Sequence, residues 1–423
     1  MHRIAALHSS INCQVALPLS KSIINRLLVI NHLSEGAEYI GLSAEAEDIR
    51  ILEHLLPAII AEKRNTDSVH EINVGNAGTV MRFLSAVLSI TPGKWLLTGT
   101  ERMQKRPIKP LTDALQQLGA EISFAGTNGF PPAYITGNPH LKGGTVNVDT
   151  SISSQYISAL MMIAPVLQDG LNIQLQGEIT SGAYIRMTKS LMQKAGIQVD
   201  FNKNTIRIPQ GEYQKIDFDD LSEPDWSAAA FWFEIVALSL HAEILLSGLK
   251  FNSVQGDKVL TEIFENLGVT SQFTDEGLRL TKSVNEIATE FNYDFTECPD
   301  LAQAVIVTCA ALGIKGRFAG LKTLRIKETD RIIALKNELS KLGYSIEVVG
   351  NDILLHGEIN VLQSDPENVI IKSYDDHRMA MALAPLALLR GDICIDDPEV
   401  VKKSYPGFWK DMEMAGLVIH DVI

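Results

Sequence analysis

One pattern recurs six times along the 423 residues: a short polar head, then an apolar, alanine-rich stretch of helical length. The copies read LSKSIINRLLVINHL, GNAGTVMRFLSAVLSI, TSISSQYISALMMIAPV, EPDWSAAAFWFEIVAL, CPDLAQAVIVTCAAL and YDDHRMAMALAPLAL. Their heads centre on Lys21, Gly78, Ser154, Trp226, Asp300 and His377, at steps of about 57, 76, 72, 74 and 77 residues. A nearly fixed period indicates one structural unit used repeatedly. Between the helical stretches lie segments of alternating polarity, among them GTVNVDT, NIQLQGEI, IQVDFNKNTIRIP and YSIEVVGNDILLHG, which read as strands. Asn204 and the Gly350-Asn351 pair mark hairpin turns. The chain therefore reads as mixed α/β, built from six units of about 70 residues.

Six units divide three and three. A boundary at 221–225 gives halves of about 200 residues, and Pro224 biases Glu223 away from helix. The first 20 residues precede the first head and fit either half, with Pro18 allowing a second crossing. The length alone suits two or three domains. With 37 basic against 51 acidic residues, the net charge of −14 argues against a broad nucleic-acid or anionic-membrane surface. Cys13, Cys298, Cys309 and Cys394 form no CxxC pair and fit a reducing compartment, as small buried side chains. The longest apolar runs, such as 157–167 and 379–389, span about 11 residues, against about 18 for a membrane span. With no signal-like N-terminal stretch, the expectation is a cytoplasmic protein.

The chemistry concentrates at the repeat heads. Lys21, Ser22 and Arg26 stand at a helix start, where unpaired N–H groups and the helix dipole favour an anion. Arg26 lies one turn on, so it could face the same ligand. In Gly75-Asn76-Ala77-Gly78-Thr79 two glycines allow close backbone approach, Thr79 reads as a cap, and Arg82 follows one turn later. In Arg102-Met103-Gln104-Lys105-Arg106-Pro107, Arg106 is the favoured anion ligand. Ser153, Ser154 and Gln155, with Ser181 and Tyr184 downstream, offer neutral donors and acceptors, although serines at helix starts are commonly caps. Asp300 could be an N-cap or a proton acceptor. Glu328 sits between Lys327 and Arg331, either on a solvated helix face or as a proton-transfer group beside an anion. Asp375, Asp376, His377 and Arg378 form the last head, followed by Lys402 and Lys403. No second histidine lies at ligand spacing, so no metal site is expected. An acidic chain that gathers cations at helix starts is building a local pocket for small anions.

Taken together, LSKSIINR, GNAGTVMR, KRPI, SSQ, LRIKETDR, DDHRMA and VKKSYP, spread from residue 20 to 406, resemble the motifs of the EPSP synthase family. The resemblance implies two similar domains, each of three βαβαββ units in an inside-out α/β barrel, with the active site in the interdomain cleft. It assigns 1–20 plus 223–423 to a C-terminal-half domain that holds the phosphoenolpyruvate side and the catalytic carboxylates. Residues 21–222 form the shikimate 3-phosphate side, with hinges near 18–21 and 221–225. It implies transfer of the enolpyruvyl group of phosphoenolpyruvate to the 5-hydroxyl of shikimate 3-phosphate, without metal or organic cofactor, in a monomer that glyphosate inhibits.

By motif match, Lys21, Ser22, Arg26, Ser153, Ser154, Gln155, Ser181, Tyr184, Asp300, Thr323 and Lys327 surround shikimate 3-phosphate. Lys21, Asn76, Gly78, Arg106, Gln155, Glu328, Arg331, His377, Arg378 and Lys403 line the phosphoenolpyruvate site. Asp300 is the acceptor for the hydroxyl proton, Glu328 the acid and base at the methylene carbon, and Lys21 assists. Phe83, Gly182-Ala183 and Thr323 depart from the family pattern, which bears on phosphate contacts and inhibitor response. UDP-N-acetylglucosamine 1-carboxyvinyltransferases share fold and chemistry but usually carry Lys-Asn where Lys21-Ser22 stand here, and a loop cysteine where this chain has none between Cys13 and Cys298. A non-catalytic anion binder would need the cations but not Asp300 and Glu328.

Overall fold

The helix Trp226–Leu238 is apolar on nearly every side, and all 13 of its residues are buried. Such a helix belongs at the centre of a core. Ala302–Ala311 and His377–Leu383 are likewise buried throughout. These three helices pack on one another within one compact unit, formed by Met1–Ser20 with Glu223–Ile423. In the second unit, Lys21–Ser222, the central three are Lys21–Leu33, Gly78–Ile90 and Ser154–Ile163. The six central helices are the six apolar repeats. The computed structural model describes residues 1–6, 10–34, 46–62, 68–150, 153–284, 286–359 and 369–422.

Five four-stranded sheets occur among the described residues, each pairing one parallel and two antiparallel neighbours in the same order. In the sheet of Val69–Asn73, Gly93–Thr98, Ala133–Gly137 and Glu121–Phe124, the first pair is parallel and the others antiparallel. The central Gly78–Ile90 helix connects the parallel pair, and the outer Lys109–Gln117 helix leads into the hairpin. That is a βαβαββ unit. Helices lie inside and sheets outside because the apolar helices, not the sheets, carry residues that must be hidden on all sides.

Residues 1–20 complete two sheets of the unit that also holds the second half of the chain. Ser10–Val15 runs parallel to His241–Ser247, and His2–Ala6 lies antiparallel between Asp392–Ile395 and Leu417–Asp421. The two chain crossings run side by side. Leu19 and Pro224 form an antiparallel bridge, Ser20 N–H donates to the Glu223 carbonyl at 2.8 Å, and Asp225 N–H donates to the Pro18 carbonyl at 2.9 Å.

Both anticipated hairpins are present. Asp200–Asn202 pairs with Thr205–Ile208 around Lys203-Asn204, and Val349 pairs with Asp352 around Gly350-Asn351. Lys203 and Gly350 take φ of 49° and 65°, the left-handed backbone a two-residue hairpin requires. All four cysteines are free thiols. Among the described residues no helix is long and apolar enough to cross a membrane.

One core residue breaks the apolar rule. Glu234 lies within the fully buried Trp226–Leu238 helix, and neither carboxylate oxygen accepts a hydrogen bond among the described residues. Burial pushes its carboxyl well above the usual range. The folded state therefore holds this proton more tightly than the unfolded chain. The group's contribution to stability is complete below the unfolded carboxyl pKa and is lost as pH rises above it. Glu234→Gln keeps the shape and removes the titration. Thermal unfolding should show the variant gaining on the parent as pH rises from about 4 to about 8. A difference independent of pH would contradict this assignment.

Candidate active site

The unit Lys21–Ser222 buries three arginines behind its central helix starts. Arg26 is 1 % exposed. Its Nε donates to Thr188 Oγ1 at 2.7 Å, Nη2 to Ser158 Oγ at 3.0 Å and Nη1 to the Ser22 carbonyl at 2.7 Å. The guanidinium also lies over the rings of Phe83 and Tyr184, at 5.4 and 5.7 Å from their centroids. Burial lowers its pKa to about 10, opposed by Tyr184. Arg26 is thus held by neutral oxygens and aromatic faces, and the one-turn spacing from Ser22 serves a backbone bond. The departure at Phe83 forms one wall of this packing.

Arg82 Nη1 donates to Gln155 Oε1 at 2.8 Å, and Gln155 Nε2 donates to Thr79 Oγ1 at 3.0 Å. Thr79 does not cap its helix: Ala77 holds the N-cap position without a side-chain bond, and the Thr79 hydroxyl is used by Gln155. Arg82 also lies over the Tyr156 ring at 5.5 Å, and Tyr156 Oη donates to the Pro107 carbonyl at 2.7 Å. Of the cations in the 102–107 segment, Arg106 is buried at 6 % exposure, whereas Arg102 and Lys105 are exposed. Arg106 and Arg82 converge over Gly78, where a Cβ would lie 2.7 Å from Nη1 of each. Gly78 is therefore the only residue type whose size leaves both guanidinium groups where they are. Asn76 sits in the turn leading to it.

Ser153 caps its helix by accepting from Gln155 N–H at 3.3 Å, and Ser154 is buried beside it. Ser181 precedes the Gly182–Lys194 helix at φ 58°, with no side-chain cap. Lys21 Nζ lies 3.1 Å from Asp48 Oδ2, a buried carboxylate. Asp48 was not singled out from the sequence, because an acid in the first turn of Glu47–Glu62 reads as a complement to the helix dipole.

The other unit uses a different logic, in which cations and carboxylates are interleaved. Arg331, 2 % exposed, is the hub. Its Nε donates to Asp376 Oδ2 at 2.7 Å and Nη2 to Asp376 Oδ1 at 3.2 Å. Nη2 also donates to Glu328 Oε2 at 3.0 Å, and Nη1 to Asp300 Oδ1 at 3.2 Å. Burial alone would lower the Arg331 pKa, but Asp376, Glu328 and Asp300 together raise it above the ordinary value. Lys403 Nζ donates to Glu328 Oε1 at 2.9 Å. Lys327 Nζ lies 3.3 Å from Asp300 Oδ1, and burial lowers its pKa against the pull of Asp300. Arg378 Nη1 donates to the Asp300 carbonyl at 2.9 Å, with Nη2 3.7 Å from its carboxylate.

Asp300 is not an N-cap. It sits in the Pro299–Leu301 turn ahead of Ala302–Ala311, with its side chain committed to cations. Lys327 and Arg331 are not on one helix face either. Lys327 is extended, Asp330 caps, and the helix begins at Arg331. The two cations meet because both reach Asp300. His377 begins its helix, 2 % exposed, with Nδ1 3.7 Å from Asp376. Thr323 is buried in the 322–326 turn, and its hydroxyl makes no hydrogen bond among the described residues. Lys403 is buried while Lys402 is exposed.

Two acids here were not chosen as site residues from the sequence. Asp376 was visible only as part of a possible metal motif, yet it caps Arg378 N–H at 3.0 Å and anchors Arg331. Asp257, whose position in the chain carries no pattern, accepts from Ser227 Oγ. Burial pushes its carboxyl up to about 7, with the Ser227 bond and Arg378 opposing and Asp300 reinforcing. Among the described residues no group of three or more histidine, cysteine or acidic side chains could hold a metal.

The architecture is α/β, of repeated βαβαββ units with cations gathered at buried helix starts. Residues 6–412 match the family model described as EPSP synthase (3-phosphoshikimate 1-carboxyvinyltransferase). A 3-phosphoshikimate 1-carboxyvinyltransferase of Bacteroides fragilis (strain YCH46) is 44% identical over 421 residues, covering 99% of each chain. One of Vibrio atlanticus (strain LGP32) is 33% identical over 427 residues, covering 96% of this chain and 97% of its own. In fold, the chain is similar to the EPSP synthase structure from Acinetobacter baumannii, with a TM-score of 0.74 at 21% identity, covering 99% of this chain and 100% of that one. The chain belongs to the EPSP synthase family. It is a transferase, EC 2.5.1.19.

Removing one member of a buried ion pair leaves the other charge uncompensated. Asp376→Ala should therefore cost about 3–5 kcal/mol in urea unfolding. A loss under about 1 kcal/mol would mean that Glu328 and Asp300 suffice to hold Arg331.

Proposed function

We propose that the chain transfers the enolpyruvyl group of phosphoenolpyruvate to the 5-hydroxyl of shikimate 3-phosphate, releasing phosphate by addition and elimination through a tetrahedral intermediate. The observation that carries the reading is that Asp300 and Glu328 share one buried guanidinium, Arg331, with Lys327 on the same Asp300 oxygen and Lys403 on the other oxygen of Glu328. Two proton-transfer groups are thus fixed within one cationic cluster. Asp300 accepts the hydroxyl proton as the oxygen attacks the substituted carbon of phosphoenolpyruvate. Glu328 delivers a proton to the methylene carbon in the addition and removes one in the elimination. Lys21, paired with Asp48, assists proton transfer.

Anions supply the trigger. The phosphate and carboxylate of phosphoenolpyruvate compete with Glu328 and Asp300 for Arg331, Arg378 and Lys403. As the cations turn toward substrate, the two carboxylates give up hydrogen bonds and are free to exchange protons with it. The same cations then stabilise charge developing on the departing phosphate. In the Lys21–Ser222 unit, Ser22, Arg26, Ser153, Ser154, Ser181 and Tyr184 bind shikimate 3-phosphate. Gln155 serves both ligands, and Asn76, Gly78 and Arg106 complete the phosphoenolpyruvate contacts. Thr323, Lys327 and His377 add contacts from the other unit. No metal or organic cofactor is required, since both proton carriers and all countercharges are side chains.

Phosphate release from phosphoenolpyruvate should require shikimate 3-phosphate. Asp300→Ala and Glu328→Gln should each slow it by about 10²–10⁴. Release in the absence of shikimate 3-phosphate, or with UDP-N-acetylglucosamine in its place, would overturn the substrate assignment. A near-parental rate in Asp300→Ala would overturn the proton-acceptor role. Gly78→Ala tests the cation pair separately. The new methyl displaces only the flexible ends of Arg82 and Arg106, so the melting temperature should hold while KM for phosphoenolpyruvate rises severalfold. An unchanged KM would remove Gly78 and Arg106 from that site.

A further inference from the structure

The head Tyr374-Asp375-Asp376-His377-Arg378 is reached through two consecutive left-handed residues. Tyr374 and Asp375 take φ of 58° and 53°, and neither is glycine. Non-glycine residues adopt this backbone only where the surroundings hold them in it. The holding contacts lie on one helix, Arg331–Lys341. At its first turn Arg331 grips Asp376. Seven residues on, about 10 Å along the axis, Glu338 is fully buried and takes the other end of the segment. Glu338 Oε1 accepts from Tyr374 Oη at 2.5 Å. Its Oε2 accepts from Lys372 N–H at 3.1 Å and Lys341 Nζ at 2.6 Å.

The segment is fastened from behind as well. Ser373 N–H donates to Asp396 Oδ1 at 2.8 Å, and the same oxygen accepts from Asp397 N–H at 2.7 Å. Asp397 opens the Pro398–Lys403 turn that delivers Lys403. Burial together with the Glu338 bond pushes the Tyr374 phenol up to about 12, so it remains a donor at neutral pH.

We propose that Glu338 and Tyr374 are positioning residues: they clamp the left-handed 374–375 turn onto the Arg331 helix, and the clamp sets where Asp376 holds Arg331 and where His377 and Arg378 point. Neither residue touches the reacting atoms. A buried acid two turns beyond Arg331 thereby acts on the cations assigned above to phosphoenolpyruvate. The inference rests on that assignment for its kinetic consequence, but not for its structural one.

Tyr374→Phe deletes one oxygen and leaves the ring. It should raise KM for phosphoenolpyruvate about tenfold while leaving KM for shikimate 3-phosphate unchanged. It should also speed exchange of the Arg331 Nε–H with solvent, read by nitrogen-15 NMR without any substrate. Glu338→Gln should move both readouts in the same direction, and Asp375→Gly, which relieves the left-handed strain, should leave both near the parental values. If Tyr374→Phe lowers the melting temperature but changes neither KM nor Arg331 exchange, the residue is only structural and the proposal fails. If exchange accelerates while the parental protein releases no phosphate from phosphoenolpyruvate, the clamp stands and the functional reading fails instead.

Discussion

The Arg331 guanidinium is the constraint on which this half of the molecule is built. Taking such a cation out of water costs several kcal/mol even after the surroundings relax, so it needs carboxylates in good geometry. Three come from separate stretches of chain: Asp300 ahead of one central helix, Glu328 before the Arg331 helix, and Asp376 at the head of another central helix. Satisfying one guanidinium therefore fixes three backbone segments relative to each other. Lys403 is added through Glu328, and Arg378 through the Asp300 carbonyl. The cluster is the polar centre of the unit.

The Lys21–Ser222 unit handles buried cations by another route. Arg26 has neutral hydroxyl and carbonyl acceptors and two aromatic faces in place of carboxylates. Its lowered pKa records the cost of that choice. An anionic ligand is the natural countercharge for such a group, and the N–H groups at a helix start favour the same kind of ligand. One unit thus interleaves its buried cations with carboxylates, whereas the other holds Arg26 on neutral support.

Much of this was legible in the chain because the repeat is written in apolar helices, and an all-apolar helix has only one place to go. The hairpins at Lys203-Asn204 and Gly350-Asn351 were legible because short turns have strong local rules. Arg106 stood out among its neighbours because a following proline stiffens its backbone. Thr79 reads from the sequence as a cap, and for Asp300, Lys327 and Arg331 a cap or a helix face stays open as an alternative; the structure has none of these local arrangements. Their contacts are set by partners 27 to 76 residues away. Asp48, Asp257 and Glu338 gave no signal at all, since an acid in or beside a helix looks the same whether it meets water or a polar partner from another segment.

The sequence by itself determined the repeat, the division into halves, the concentration of cations at helix starts and, through its motifs, the family. Those are properties of period, local propensity and residue order. Only the tertiary structure decided which sheet the first strands enter and which acid neutralises which cation. It also decided that Tyr374 and Asp375 must be left-handed. Such pairings depend on distance in space, and the physical reason they escape the sequence is that a buried charge selects its partner by geometry after the helices have packed.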